Sequence, residues 1–130
     1  RTHELIEEFD SISSKGIKII AVYESGNSTL KKYMIEHPLP YPVIGDSTLT
    51  LYKKYSVEKS FWKTLGALFN RETKAARSSG KKLFRKKYDR DGHLSRLPAD
   101  FIIDEEGILK VVYYAKNIGD HLPISEILKN

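Results

Sequence analysis

Apolar positions along this chain switch between helical and strand spacing. Leu5, Ile6, Phe9 and Ile12 recur three and four residues apart, which predicts a helix over residues 2–14. Glu4, Glu7, Glu8 and Asp10 supply its polar side, and Gly16 is its stop. Residues 17–23 then read Ile-Lys-Ile-Ile-Ala-Val-Tyr. So continuous an apolar run predicts a parallel strand covered on both faces.

A loop over 24–27 follows, with Ser28 or Asn27 as the cap of a helix reaching His37. Leu30, Tyr33 and Met34 mark its inner face. Pro38, Pro40 and Pro42 end that helix and keep the chain extended. Val43 and Ile44 form a short strand that stops at Gly45-Asp46. Ser47 or Thr48 then caps a third helix over 49–55.

The character changes at Glu58. Phe61, Trp62, Leu65, Leu68 and Phe69 keep helical spacing, but from Arg71 onward the segment is polar and basic. Residues 97–114 read as a β-hairpin with Pro98 at its entrance. Phe101, Ile102 and Ile103 form the first strand, Asp104-Glu105-Glu106-Gly107 the turn, and 108–114 the second strand. Pro123 suits the first turn of a last helix over 122–129. Helices alternating with parallel-type strands predict an α/β fold.

Charge sharpens this division. The 130 residues carry a formal net charge of +5. Residues 58–96 hold 12 Lys/Arg against 4 Asp/Glu, and the remainder holds 10 against 13. The body is thus mildly acidic, and 58–96 reads as a basic insertion into one domain spanning 1–130. No cysteine is present. Disulfides, thiolate zinc sites and cysteine nucleophiles are therefore excluded within these residues, and the usual clue to redox compartment is lost.

Three stretches carry a resemblance: Asp46-Ser-Thr-Leu-Thr-Leu-Tyr-Lys-Lys-Tyr, Leu97-Pro-Ala-Asp-Phe-Ile-Ile-Asp-Glu-Glu-Gly and Ile118-Gly-Asp-His-Leu. Their order and spacing resemble the peroxiredoxin-like branch of the alkyl hydroperoxide reductase and thiol-specific antioxidant (AhpC/TSA) superfamily, which is thioredoxin-like. The resemblance covers the chain except 58–96. It implies a three-layer sandwich, a central mixed sheet with helices on both faces, here lacking its N-terminal strand. That strand would lie mid-sheet between 17–23 and 99–104, so these residues are expected to belong to a longer folded chain. It further implies a catalytic cysteine upstream of Arg1, at the start of the first helix, with Thr2, Leu97 and a cis Pro98 beside it. A thiol at a helix start is activated by the helix dipole and free N–H groups. True peroxiredoxins resemble this pattern with an arginine where Pro98 stands. Thiol–disulfide exchange is therefore the better reading of the parent redoxin, with a disulfide-bearing protein or a peroxide as its partner and no cofactor. A homodimer is compatible with it.

Other residues invite chemistry less strongly. Asp100 is a candidate for moving protons, but a solvated acid at a strand end is the simpler reading. His121, after Asp120, could serve a metal or act as a general base; a surface or capping histidine is the simpler reading. His3, His37 and His93 are scattered, which argues against a metal site. Lys81, Lys82, Arg85, Lys86 and Lys87 are candidate contacts for a polyanion. Beside Ser-Ser-Gly such a run is more often solvated, so nucleic acid or an anionic membrane is the lesser reading. The second function class is a non-catalytic redoxin-fold module that binds a protein or polyanion through this insertion.

Overall fold

The computed structural model describes residues 1–57 and 96–130. The basic insertion, with Lys81, Lys82, Arg85, Lys86, Lys87, His93 and the aromatic stripe at 61–69, lies outside them. The described residues fall into two compact units, one within Arg1–Ser56 and one formed by Val57 and 96–130.

The first unit opens with α1 (Thr2–Glu7) and α2 (Phe9–Ser14), where one helix was expected. At Glu8 the backbone moves to φ −96° and ψ 8°, outside the helical range. Its amide still reaches the Glu4 carbonyl at 3.0 Å and its carbonyl accepts the Ile12 amide at 3.0 Å, so this is a bend and not a gap. Ile12 is completely buried. Gly16, at φ +78°, supplies the left-handed turn that follows α2.

β1 (Ala21–Tyr23) pairs in parallel with β2 (Val43–Gly45), with Val22 opposite Ile44. The strand is shorter than the apolar run 17–23. Pro42 accepts the Ala21 amide at 3.0 Å but has no N–H to return, and Pro40 and Pro38 precede it, so the ladder cannot extend that way. Nor are both faces covered, since Ile20, Val22 and Ile44 are exposed.

Between the strands runs α3 (Asn27–Glu36), with Leu30 buried. Its N-cap is Gly26 and not Asn27 or Ser28. The Asn27 side chain is turned to Gly45, where an added Cβ would stand 2.6 Å from Asn27 Oδ1 and 2.8 Å from the Ser25 carbonyl. α4 (Thr50–Lys54) is likewise not capped by Ser47 or Thr48. The Asp46 carboxylate takes the Thr50 and Leu51 amides at 2.8 Å each and the Tyr52 amide at 3.0 Å. A carboxylate has two oxygens and accepts several amides at once, which a single hydroxyl cannot do.

The second unit is the expected hairpin. β3 (Ala99–Ile103) pairs antiparallel with β4 (Leu109–Tyr114), with a register shift between Ile102 and Ile103. Asp104 closes the turn: its Oδ1 accepts the Ile108 amide at 2.7 Å and its Oδ2 meets Lys110 Nζ at 2.9 Å. Gly107 sits at φ +81°. Phe101 and Tyr114 meet edge to face, 5.8 Å between centroids. The last helix, α5 (Ile124–Ile127), is shorter than expected, with Pro123 as its N-cap. Each strand pair is a two-stranded sheet of its own unit.

Candidate functional site

Thr2 lies in the first unit, where it begins α1. Its hydroxyl shares a hydrogen bond with the Tyr23 hydroxyl at the end of β1, at 3.2 Å. Arg1, just before it, pairs with Glu4 at 3.1 Å. Two further tyrosines, Tyr33 and Tyr41, interact electrostatically with Tyr23. Tyr41 is only 4% exposed, and its ring lies 6.3 Å from that of Phe9. Its hydroxyl is buried without a hydrogen-bond partner among the described residues. A polar group left so costs about 1–3 kcal/mol. Burial, together with Tyr23 and Tyr33, pushes the Tyr41 hydroxyl up to about 12, against the opposing pull of Arg1. Burial raises the Tyr33 hydroxyl in the same way.

Leu97 and Pro98 lie in the second unit. Leu97 is buried, and the Pro98 carbonyl accepts the Ala115 amide at 3.0 Å. The expected cis bond is not found: no described peptide is cis, so Leu97–Pro98 is trans. Trans is the lower state of an X–Pro bond, and Pro98 needs only its carbonyl to start this ladder.

In the same unit, Asp100 of β3 and His121 of the loop after β4 come together. Asp100 is half-buried and accepts the Leu122 amide at 2.8 Å, so it is no simple solvated acid. His121 Nδ1 stands 3.6 Å from Asp100 Oδ2, with both side chains mostly covered. That is an ion-pair distance and too long for a hydrogen bond. The adjacent Asp120 accepts the Tyr113 hydroxyl at 2.6 Å and the Lys116 amide at 2.7 Å. Desolvation raises the Asp120 carboxyl, but these two donors and the charges of Lys116 and His121 outweigh it, and the net direction is down. Among the described residues no group of three His, Cys, Asp or Glu is arranged to hold a metal ion.

The hydroxyl of Tyr41 and the cluster of Tyr113 with Asp120 do not stand out in the sequence. The one signal for Tyr41 is its place between Pro40 and Pro42, which fixes the backbone on both sides. Tyr113 and Asp120 carry no local pattern, since their meeting depends on the loop between them.

Neither curated proteins nor solved structures contain a significant match to this chain. A family profile does match, that of the AhpC/TSA antioxidant enzymes, over residues 4–117. That span runs from within α1 through β4 and reaches into both units, and the mixture of helices with small sheets is compatible with the family's thioredoxin-like fold. The chain therefore belongs to the AhpC/TSA antioxidant enzyme family, as a peroxiredoxin-like redoxin domain.

Proposed function

We propose that this chain is the body of a thiol-dependent redoxin whose catalytic cysteine precedes Arg1 in the whole protein. The fold proposed is the thioredoxin-like three-layer sandwich, with 58–96 as a basic insertion into it. The family match over 4–117 carries this reading. Cysteine is the side chain that performs thiol–disulfide exchange, and these residues contain none. Their part is to hold the thiol, shield it and receive its partner. Thr2 at the head of α1, with Leu97 and Pro98 before β3, are the residues proposed to border it. The proline at 98, in place of a peroxidase arginine, favours disulfide exchange with a protein partner over peroxide reduction.

The test compares residues 1–130 with the protein extended N-terminally through its first cysteine. The extended protein is expected to reduce insulin disulfides or an alkyl hydroperoxide, and residues 1–130 to match a buffer blank. Turnover by the cysteine-free chain, or none by the extended one, would overturn the reading. The charge of 58–96 supports a second reading, a non-catalytic binding module. It requires retention on heparin that falls steeply with salt. It also requires a serine, a threonine or no residue at the place of the cysteine.

A further inference from the structure

His121 carries a ring nitrogen that the fold leaves without a bond. Its Nδ1 has essentially no exposed surface and no hydrogen-bond partner among the described residues. An atom so covered is not served by bulk water, and a native interior seldom leaves one unanswered. Asp100 Oδ2 stands 3.6 Å from it, just beyond hydrogen-bond length. That same oxygen accepts the amide of Leu122, a buried residue, at 2.8 Å. Asp100 lies on β3, whereas His121 and Leu122 lie where the loop after β4 runs toward α5. One carboxylate oxygen thus fastens this junction by a bond already made and faces a second that is not yet closed.

The charges around the ring favour a cation there. Asp100 faces it from β3. Asp120 precedes it in its own loop and feels its charge. On β4, Tyr113 presents a neutral hydroxyl that donates to Asp120. Lys116 is the cation of the group, and its amide and its charge are both turned to Asp120. Farther along, Glu126 and Lys129 pair with each other at 2.6 Å and so offset each other. A neutral imidazole carries one N–H for its two nitrogens. A protonated one donates from both, so Nδ1 then presents an N–H and a positive charge to Asp100 whichever nitrogen held the hydrogen before.

We propose that His121 and Asp100 form a pH-operated clasp between the start of β3 and the C-terminal segment. A proton taken from solvent by His121 closes the Nδ1–Oδ2 contact and fixes the junction by two bonds. Its loss leaves the Leu122 amide as the one bond from this junction to Asp100. The clasp is independent of the redoxin reading. Imidazole ordinarily changes charge between about pH 5 and 8, where carboxylates stay ionised. A contact made by the charged ring is present at the lower end of that range and is lost as pH rises through it.

The experiment is amide hydrogen exchange on the whole protein at about pH 5.5 and about pH 7.5, corrected for the intrinsic pH dependence of exchange. Protection of the Leu122 amide should be about fivefold higher at the lower pH, while that of the Ile108 amide in the hairpin turn stays level. His121→Gln removes the titrating ring, and Asp100→Asn keeps a carbonyl for Leu122 but removes the charge; each should abolish the difference. Equal protection of Leu122 at the two pH values would overturn the clasp, and this comparison needs neither variant. A difference that survives in a folded variant, or that Ile108 shares, would assign it to other groups and overturn the clasp as well.

Discussion

Asp120 binds the Tyr113 hydroxyl at 2.6 Å through one carboxylate oxygen and the Lys116 amide at 2.7 Å through the other, tying the loop after β4 back to the strand it leaves. The hydrogen bond to Asp120, then burial and the charges of Asp120 and Asp100, raise the Tyr113 hydroxyl above its ordinary value of 10.0. Asp120→Asn should bring the Tyr113 ionisation down toward that value. Tyrosine-resolved NMR titration distinguishes it from Tyr33 and Tyr41, which are raised for other reasons. An unmoved Tyr113 would show that the bond is not the cause.

Acid stability should depend on Asp46. Burial raises its carboxyl, but the amides of Tyr52, Thr50 and Leu51 and the Thr48 hydroxyl outweigh it, leaving the group below its ordinary 3.8. A carboxyl depressed in the folded state stabilises above its unfolded pKa, and that contribution is lost as pH falls through the folded value. Asp120 has the same sign, as does Asp104, which is lowered by Lys110 first and then by the Ile108 amide. Asp46→Asn should lower the melting temperature by a few degrees at pH 7 and flatten its decline below about pH 4. An unchanged acid limb would count against the capping role.

Gly45→Ala should destabilise the first unit. The new Cβ would meet Asn27 Oδ1 at 2.6 Å, the Ser25 carbonyl at 2.8 Å and Leu30 Cδ1 at 3.1 Å. The backbone carbonyl cannot rotate away without moving the loop, so overpacking of about 1–3 kcal/mol is expected in denaturant titrations. Full stability in the variant would mean that the β1–α3 loop shifts freely.

Ile12→Ala should be costlier, about 2–5 kcal/mol, because Ile12 is completely buried. Gly107→Ala creates no clash, since nothing lies within 4 Å of the added atom. Its cost, about 1–2 kcal/mol, comes from holding alanine at φ +81°. A smaller loss at Ile12 than at Gly107, measured by the same titration, would contradict this packing order.

The hairpin is legible in the sequence itself. Pro98 opens it, β-branched and aromatic residues pair across it, and Asp104 with Gly107 turns it, all within one short stretch of chain. The helices of the first unit are legible as well, to within their ends and the bend at Glu8 that divides the first into two. The caps and the strand limits are not. Asp46 serves amides four to six residues ahead, a reach that only the fold of the turn decides. β1 is cut short by the prolines that lead into β2, so its own apolar run could not reveal where it stops.

Local chemistry therefore determined the α/β order, the hairpin, the lack of any thiol in these residues and the family resemblance. Each of these depends on side-chain spacing, turn residues or residue identity, which need no knowledge of distant partners. The tertiary structure alone decided that Leu97–Pro98 is trans, that Asp100 meets His121 and Leu122, and that Tyr41 is enclosed with an unanswered hydroxyl. Those depend on which segments come to lie together. Burial and hydrogen bonding between residues far apart in sequence are fixed by packing, and no local pattern encodes them.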